Sequence, residues 1–430
     1  MRTEELYELF KRSTGVSTDS RSIKPGQLFF ALYGPNYNGN RYASEAITAG
    51  ALCSVIDDPD YESDNTLLVD DTLKELQALA GMVRDHLPAK VIGITGSNGK
   101  TTTRELIAAV LARKYKTYST NGNLNNHIGV PLTILASPPD TEMMVVEMGA
   151  SNPGEIGRLC NIARPDIGII TNIGTAHLEG FGSLEGVKAA KSELYEYLRK
   201  NGGIAFYNEA DTVLTELIYK YVVKAVPYAD PTGYDLITVT RPEELYLSGS
   251  INFEGVDYQF RTNLFGAHNH QNIRAAMAIG LFFGVPVEDV IEAIEAYNPS
   301  NNRSQIVKTK YNTLVCDSYN ANPVSMANAI ESFSRLTAPE KICIIGDMLE
   351  LGEKTEEEHH TVLRLIGTLG IEKCYAVGET MKRLAPLYGF EAFDDVDELV
   401  KVLRSSQLQD KMILIKGSRG IKLEKCYVAL

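Results

Sequence analysis

The sequence predicts an α/β protein of three domains, and three observations carry that expectation. The chain has 430 residues, where an ordinary domain takes roughly 150. It is 44% hydrophobic and 23% charged, which supplies several cores and excludes an intrinsically disordered chain. Short apolar runs alternate with helical stretches along most of its length, the pattern of parallel strands joined by helical crossovers.

The first domain is expected over residues 1–87, with strands near 27–32, 52–56 and 66–69 mixed with helices. The second, over 88–299, opens with the strand Val91-Ile92-Gly93-Ile94-Thr95 and a glycine-rich turn. A helix near 100–113 follows, and further strands are expected at 143–147, 167–171 and 203–207. That alternation argues a mostly parallel sheet covered on both faces. The domain closes with helices near 269–283 and up to about 297. The polar run Asn298-Pro299-Ser300-Asn301-Asn302 reads as a linker. The third domain, over 300–430, repeats the alternation with strands at 313–317, 341–346, 373–377 and 412–416, which suits a Rossmann-like sheet. No internal repeat or low-complexity tract interrupts the pattern.

Charge and cysteine usage exclude several classes. Forty-two basic against 55 acidic residues leave a net charge of −13, which argues against a broad basic face for nucleic acid. The uncharged run 275–287, in the most apolar region, falls short of the roughly 18 residues of a membrane span. The start Met1-Arg2-Thr3-Glu4-Glu5 lacks the apolar stretch of a signal peptide. Six cysteines without a C-x-x-C pair read as reduced, buried thiols of a cytoplasmic protein.

The chemistry is announced at Gly93-Ile94-Thr95-Gly96-Ser97-Asn98-Gly99-Lys100-Thr101-Thr102. Backbone N–H groups of such a strand–helix loop converge on phosphate oxygens, and the helix N-terminus adds positive potential. Lys100 would reach the β/γ-phosphates and the Thr101 hydroxyl would ligate Mg²⁺. Ile94 stands where the general phosphate-loop pattern has its first glycine, so the motif is T-G-x-x-G-K-T-T. Glu147 ends an apolar strand and would face the same crevice, as an oxygen ligand for Mg²⁺. His177 lies in Thr171-Asn172-Ile173-Gly174-Thr175-Ala176-His177, after another strand. Periodicity alone does not separate Lys191 from a solvated helix lysine.

Taken in order, T-G-x-x-G-K-T-T, the strand ending in Glu147, T-N-I-G-x-x-H and Lys191-Ser192-Glu193-Leu194 resemble the Mur ligase superfamily of peptidoglycan synthesis. Later motifs are similar to its D-alanyl-D-alanine-adding branch. They are Asp317-Ser318-Tyr319-Asn320-Ala321-Asn322-Pro323, Gly346-Asp347-Met348-Leu349-Glu350-Leu351-Gly352 and Lys416-Gly417-Ser418-Arg419. Asp19-Ser20-Arg21 and Gly122-Asn123-Leu124-Asn125-Asn126-His127 fit as well, so the resemblance covers essentially the whole chain.

The resemblance implies an N-terminal UDP-binding domain, a central phosphate-loop ATPase and a C-terminal Rossmann-like domain. It implies an ATP-dependent amide ligase that phosphorylates the carboxylate of UDP-N-acetylmuramoyl-tripeptide and passes the acyl group to D-alanyl-D-alanine. A cytoplasmic monomer acting on neither nucleic acid nor membrane is expected. Gly96, Ser97, Asn98, Gly99, Lys100, Thr101 and Thr102 would bind ATP phosphates, with Asn269 and Asn272 towards adenine. Arg303 would face phosphate and Asp317 ribose. Two Mg²⁺ ions are implied, held by Thr101 and Glu147 and by His177 and a carbamylated Lys191. Lys100, Lys191, His177 and Arg303 form the implied catalytic set. Substrate contacts fall to Ser20 and Arg21 for UDP, to Asn125 and Asn126, and to Tyr319, Asn320, Asn322 and Asp347 for the dipeptide. Two departures stand out: Asn302-Arg303 where the family often has Gly-Arg, and 36–41 where it commonly has D-G-H. Another amide ligase of the superfamily is the alternative, and the Asn-Ala-Asn-Pro and Gly-Asp-Met motifs argue against it.

Overall fold

A computed structural model describes residues 2–174, 178–221, 223–228, 244–300, 302–338 and 340–430. Three parallel or mostly parallel sheets follow one another along the chain. The first has four parallel strands in the order Val16–Ser17, Leu28–Phe30, Cys53–Ile56, Thr66–Leu68. The second has six parallel strands: Lys224–Pro227, Ile204–Tyr207, Ile167–Ile170, Lys90–Thr95, Met143–Glu147 and Thr117–Ser119. The third has six strands, with Gln305–Lys308 antiparallel at one edge. It continues through Thr313–Asp317, Met412–Lys416, Lys341–Gly346, Lys373–Val377 and Glu391–Phe393 in parallel.

The central strands read as continuous apolar runs because helices cover both faces. In Lys90–Thr95, Val91 packs on one side with Val146, Leu194 and the N-terminal unit's Phe30 and Leu76. Ile92 and Ile94 pack on the other with Leu106, Ile273 and Ile279. The helix Asn269–Phe282 is buried over most of its surface, and its one arginine, Arg274, is buried too and paired with Glu209. All six cysteines are free and buried. Among the described residues no helix is long and apolar enough to cross a membrane.

This topology sets the position of the site. The chain leaves Lys90–Thr95 for the strands on one side, Thr117–Ser119 and Met143–Glu147, and then crosses to Ile167–Ile170 on the other. Such a reversal opens a crevice at the carboxyl ends of the strands. Register places Glu147 opposite Ile94 and Ile170 opposite Thr95, so the glycine loop, Glu147 and Thr171 all emerge at that crevice.

Candidate active site

The loop after Lys90–Thr95 turns through two glycines that no other residue could replace without strain. Gly96 has φ 141° and a Cβ there would meet the Thr171 hydroxyl at 2.0 Å; Gly99, φ 79°, would meet Asn272 at 2.6 Å. Gly99 then starts the helix Lys100–Leu111, whose first N–H groups have no helical acceptor. The following strand's loop braces this turn. The Asn98 N–H donates to Asn172 Oδ1 (3.0 Å), Thr171 Oγ1 donates to the Asn98 carbonyl (2.6 Å), and Ser97 exchanges hydrogen bonds with Gly174. Lys100 folds back so that its Nζ donates to the carbonyl of Gly96 (2.7 Å) and to that of Ser97 (3.3 Å). Burial pushes its pKa down, against the pull of Glu147.

Glu147 is 2% exposed. Its carboxylate accepts from Asn125 Nδ2 at 2.8 Å and from Arg104 Nη1 at 3.2 Å. Arg104, itself 3% exposed, also donates to the Gly122 carbonyl and to Glu105. It stands one turn after Thr101 on the phosphate-loop helix. Sequence reasoning passed over it; a guanidinium one turn before the apolar Ile107 on the phosphate-loop helix was the signal. Thr101 is buried at the helix start and lines the same cavity as Glu147. One hydroxyl and one carboxylate with open lone pairs are the hard oxygen donors that Mg²⁺ prefers, so these residues fit the ion. Among the described residues no group of three or more His, Cys, Asp or Glu comes together. His177 lies outside the described residues.

Lys191 is 2% exposed on the helix Leu184–Asn201. Its Nζ donates to the Ala150 carbonyl at 3.3 Å and stands 5.3 Å from the centre of the Phe181 ring. Burial, reinforced by the charge of Lys100, lowers its pKa to about 7. The solvated helix lysine allowed by periodicity is therefore a buried amine beside the strand that carries Glu147.

The opposite wall comes from the C-terminal unit and encloses a cavity of about 550 Å³. Asp317, Tyr319 and Asn320 face the phosphate loop across it, together with Arg303 and Lys416. The Asp317 carboxylate accepts from the Ser304 N–H (3.0 Å) and from Lys416 Nζ (2.6 Å). Lys416 is buried, and sequence reasoning noted its motif without giving it this partner. The departure at Asn302 is explained: its φ is 56°, the left-handed region that glycine enters freely and asparagine tolerates best among the rest.

Several expected ligands are already engaged in holding the fold. Asn322 caps the helix Pro323–Arg335 through Ser325 N–H, while its Nδ2 donates to Asn98 Oδ1 at 2.7 Å, joining the two walls. Asn126 accepts from the Ile128 and Gly129 N–H groups and so starts the helix Gly129–Leu135. Asp347 does not line the cavity; its oxygens accept from the Thr380 and Met381 N–H groups. These engagements have a common cause: a short amide or carboxylate beside a helix start meets backbone donors first. Asn269 and Asn272 line the cavity but are linked to each other (2.8 Å), to the Phe265 carbonyl and to the Thr103 hydroxyl. Tyr319 lines the cavity, and the Arg303 guanidinium lies 3.7 Å from the centre of its ring. Ser20 and Arg21 stand away from this cavity on the N-terminal unit. Ser20 is buried in a short turn, and Arg21 is exposed and forked onto Asp19 (2.9 and 2.8 Å).

Comparison with known proteins adds an independent observation. Three family models match in succession: "Mur ligase family, catalytic domain" over residues 12–86, "Mur ligase middle domain" over 94–280, and "Mur ligase, glutamate ligase domain" over 302–419. The chain is similar to the UDP-N-acetylmuramoyl-tripeptide–D-alanyl-D-alanine ligase of Bacillus subtilis (strain 168), with 36% identity covering 96% of this chain and 92% of the relative. The Escherichia coli (strain K12) enzyme of that name is 32% identical, over 96% and 93%. Among solved structures, MurF from Acinetobacter baumannii superposes with a TM-score of 0.87 at 28% identity, covering 99% and 97% of the two chains. MurF ligase from Thermotoga maritima in complex with ADP gives 0.85 at 26%, over 98% and 97%.

Proposed function

The chain belongs to the Mur ligase family, and we propose that it joins D-alanyl-D-alanine to UDP-N-acetylmuramoyl-tripeptide in an ATP-driven reaction of peptidoglycan precursor synthesis. The observation that carries this reading is the single cavity in which the phosphate loop faces the Asp317–Asn322 turn. Domain limits of 1–87, 88–299 and 300–430 go with it, as do a cytoplasmic location and a monomeric state.

The tripeptide carboxylate attacks the γ-phosphorus of ATP and ADP leaves. The dipeptide amine then attacks the resulting acyl phosphate, and the tetrahedral adduct collapses to an amide with loss of phosphate and a proton. The first step is mainly positioning and charge stabilisation. Ser97–Thr102 cradles phosphates with backbone N–H groups, and Lys100 exchanges its two carbonyl acceptors for phosphate oxygens. Arg303 closes on the phosphates from the C-terminal wall, and Asp317 accepts from ribose. Asn269 and Asn272 support the adenine side. Asn125 holds the Glu147 carboxylate in register, while Asn320 faces the dipeptide. Ser20 and Arg21 hold the UDP end.

Bound Mg²⁺, with Thr101 and Glu147 as ligands for one ion, supplies charge neutralisation between phosphates and the incoming carboxylate. A second ion would fall to His177 and Lys191. Only a neutral amine adds CO₂, and a lysine whose pKa is lowered to about 7 is substantially neutral at physiological pH; that supports carbamylation of Lys191. A carbamate also removes the cost of a buried ammonium beside Lys100.

The test is ADP release from ATP with UDP-N-acetylmuramoyl-tripeptide and D-alanyl-D-alanine. Release that requires both co-substrates, with amide product formed, is expected. Equal turnover with a single amino acid in place of the dipeptide would refute the reading.

A further inference from the structure

Arg303 stands at an unusual bend. Its neighbours Asn302 and Ser304 both have left-handed backbone, φ 56° and 48°. The bend is tied on both sides to one turn: the Tyr319 N–H donates to the Asn302 carbonyl (3.2 Å), and the Ser304 N–H donates to Asp317 (3.0 Å). The Arg303 side chain is held by a ring. Its guanidinium carbon lies 3.7 Å from the Tyr319 ring centre, and its Nε is buried without a hydrogen-bond partner. Arg419 approaches the same tyrosine, with its guanidinium carbon 5.2 Å from the ring centre and Nη1 3.4 Å from the phenol oxygen.

Two guanidinium groups on one side chain repel each other unless something negative lies between them. The tyrosine ring face supplies that, and the stack holds a planar cation in one plane without using its N–H donors. A long arginine otherwise loses considerable rotamer freedom when it is fixed. We infer that Tyr319 is a positioning residue for Arg303: its ring holds the guanidinium in the plane in which the remaining N–H groups meet the transferred phosphoryl group. Tyr319 thus acts on the phosphate side of the cavity and not on the dipeptide. The inference rests on the reading of Arg303 as a phosphate ligand.

The test compares Tyr319→Leu, Tyr319→Phe, Arg303→Ala and the double variant Arg303→Ala/Tyr319→Leu in the full chain, by kcat and by KM for ATP and for D-alanyl-D-alanine. A thermal melt of each checks folding, and Tyr319→Met replaces Tyr319→Leu if the latter does not fold. Because a displacement of about 1 Å at a catalytic group can cost about 100-fold, Tyr319→Leu is expected to lose about 10- to 100-fold in kcat. Its KM for the dipeptide should stay within about threefold, the sign of an interaction made in the transition state. Tyr319→Phe keeps the ring and should recover most of that loss. The double variant should be no worse than Arg303→Ala, because removing the arginine removes what the ring positions. A raised KM for D-alanyl-D-alanine, or losses that multiply in the double variant, would overturn the positioning role while leaving the arginine reading intact. Near-normal turnover of Arg303→Ala would overturn the arginine reading and this inference with it.

Discussion

At the phosphate loop, Arg104 and Glu147 keep 3% and 2% of their side chains exposed, whereas Arg21 on the N-terminal unit keeps 84%. Both arginines pair with a carboxylate, but the pairs differ in kind. The Arg104–Glu147 pair is buried, with Glu147 lining the cavity, and there a hydrogen bond or charge is worth far more than in water. The Arg21–Asp19 pair is solvated, and its attraction is screened. The difference matches two tasks. Phosphoryl transfer needs preorganised charge in a site that excludes water. The role proposed for Arg21, holding the UDP end, needs only affinity.

That contrast can be broken from either side, and the largest effects belong to the cavity. Lys100→Ala should cost about 100- to 1000-fold in kcat, the scale of losing one preorganised charge donor at the reacting group; a loss under tenfold, measured by ADP release, would contradict its role. Lys191→Ala should lose about 100-fold, as expected when a metal-holding group goes. Wild-type enzyme stripped of CO₂ should lose activity and regain it with bicarbonate. Because burial lowers the Lys191 pKa to about 7, the neutral amine grows as pH rises through that value. At equal dissolved CO₂, recovery should therefore be faster at pH 8 than at pH 6, and a rate independent of pH under that condition would refute carbamylation.

Arg104→Leu tests the buried pair. It leaves Glu147 without its cation and should destabilise the chain by about 3–5 kcal/mol, read in denaturant. An unchanged midpoint would mean that Asn125 suffices. On the N-terminal side, Arg21→Ala should raise KM for the UDP-linked substrate by about fivefold, the worth of one modest hydrogen bond, with kcat unchanged. A fall in kcat would show that the two regions are coupled.

The same division explains what was legible in the sequence. The buried strands announced themselves, since Met143–Glu147 and Lys341–Gly346 are apolar on both faces. Several edge strands did not, although Thr66–Leu68 did. Thr117–Ser119, Lys224–Pro227 and Glu391–Phe393 are short and only partly buried, and their pairing partners define them more than their composition. The hairpin Ser248–Phe253 with Val256–Arg261 was missed because its turn is Glu254-Gly255. Both residues have positive φ, as a two-residue turn requires, but glutamate is not the residue usually found there.

In the site, the glycine loop was readable from spacing because only one chemistry needs it. Lys191 was readable only through resemblance, since burial is a property of the fold. The cap at Asn322 was written in Asn322-Pro323-Val324-Ser325, a helix-start pattern with proline at the first position. Its motif membership drew it towards substrate instead.

The central claim is that a carboxylate oxygen of the tripeptide attacks the γ-phosphorus of ATP inside this cavity. It is tested most directly by labelling that carboxylate with ¹⁸O and analysing the phosphate released during turnover with D-alanyl-D-alanine. The account predicts that one labelled oxygen appears in phosphate for each ADP formed. Unlabelled phosphate, or AMP in place of ADP, would contradict it.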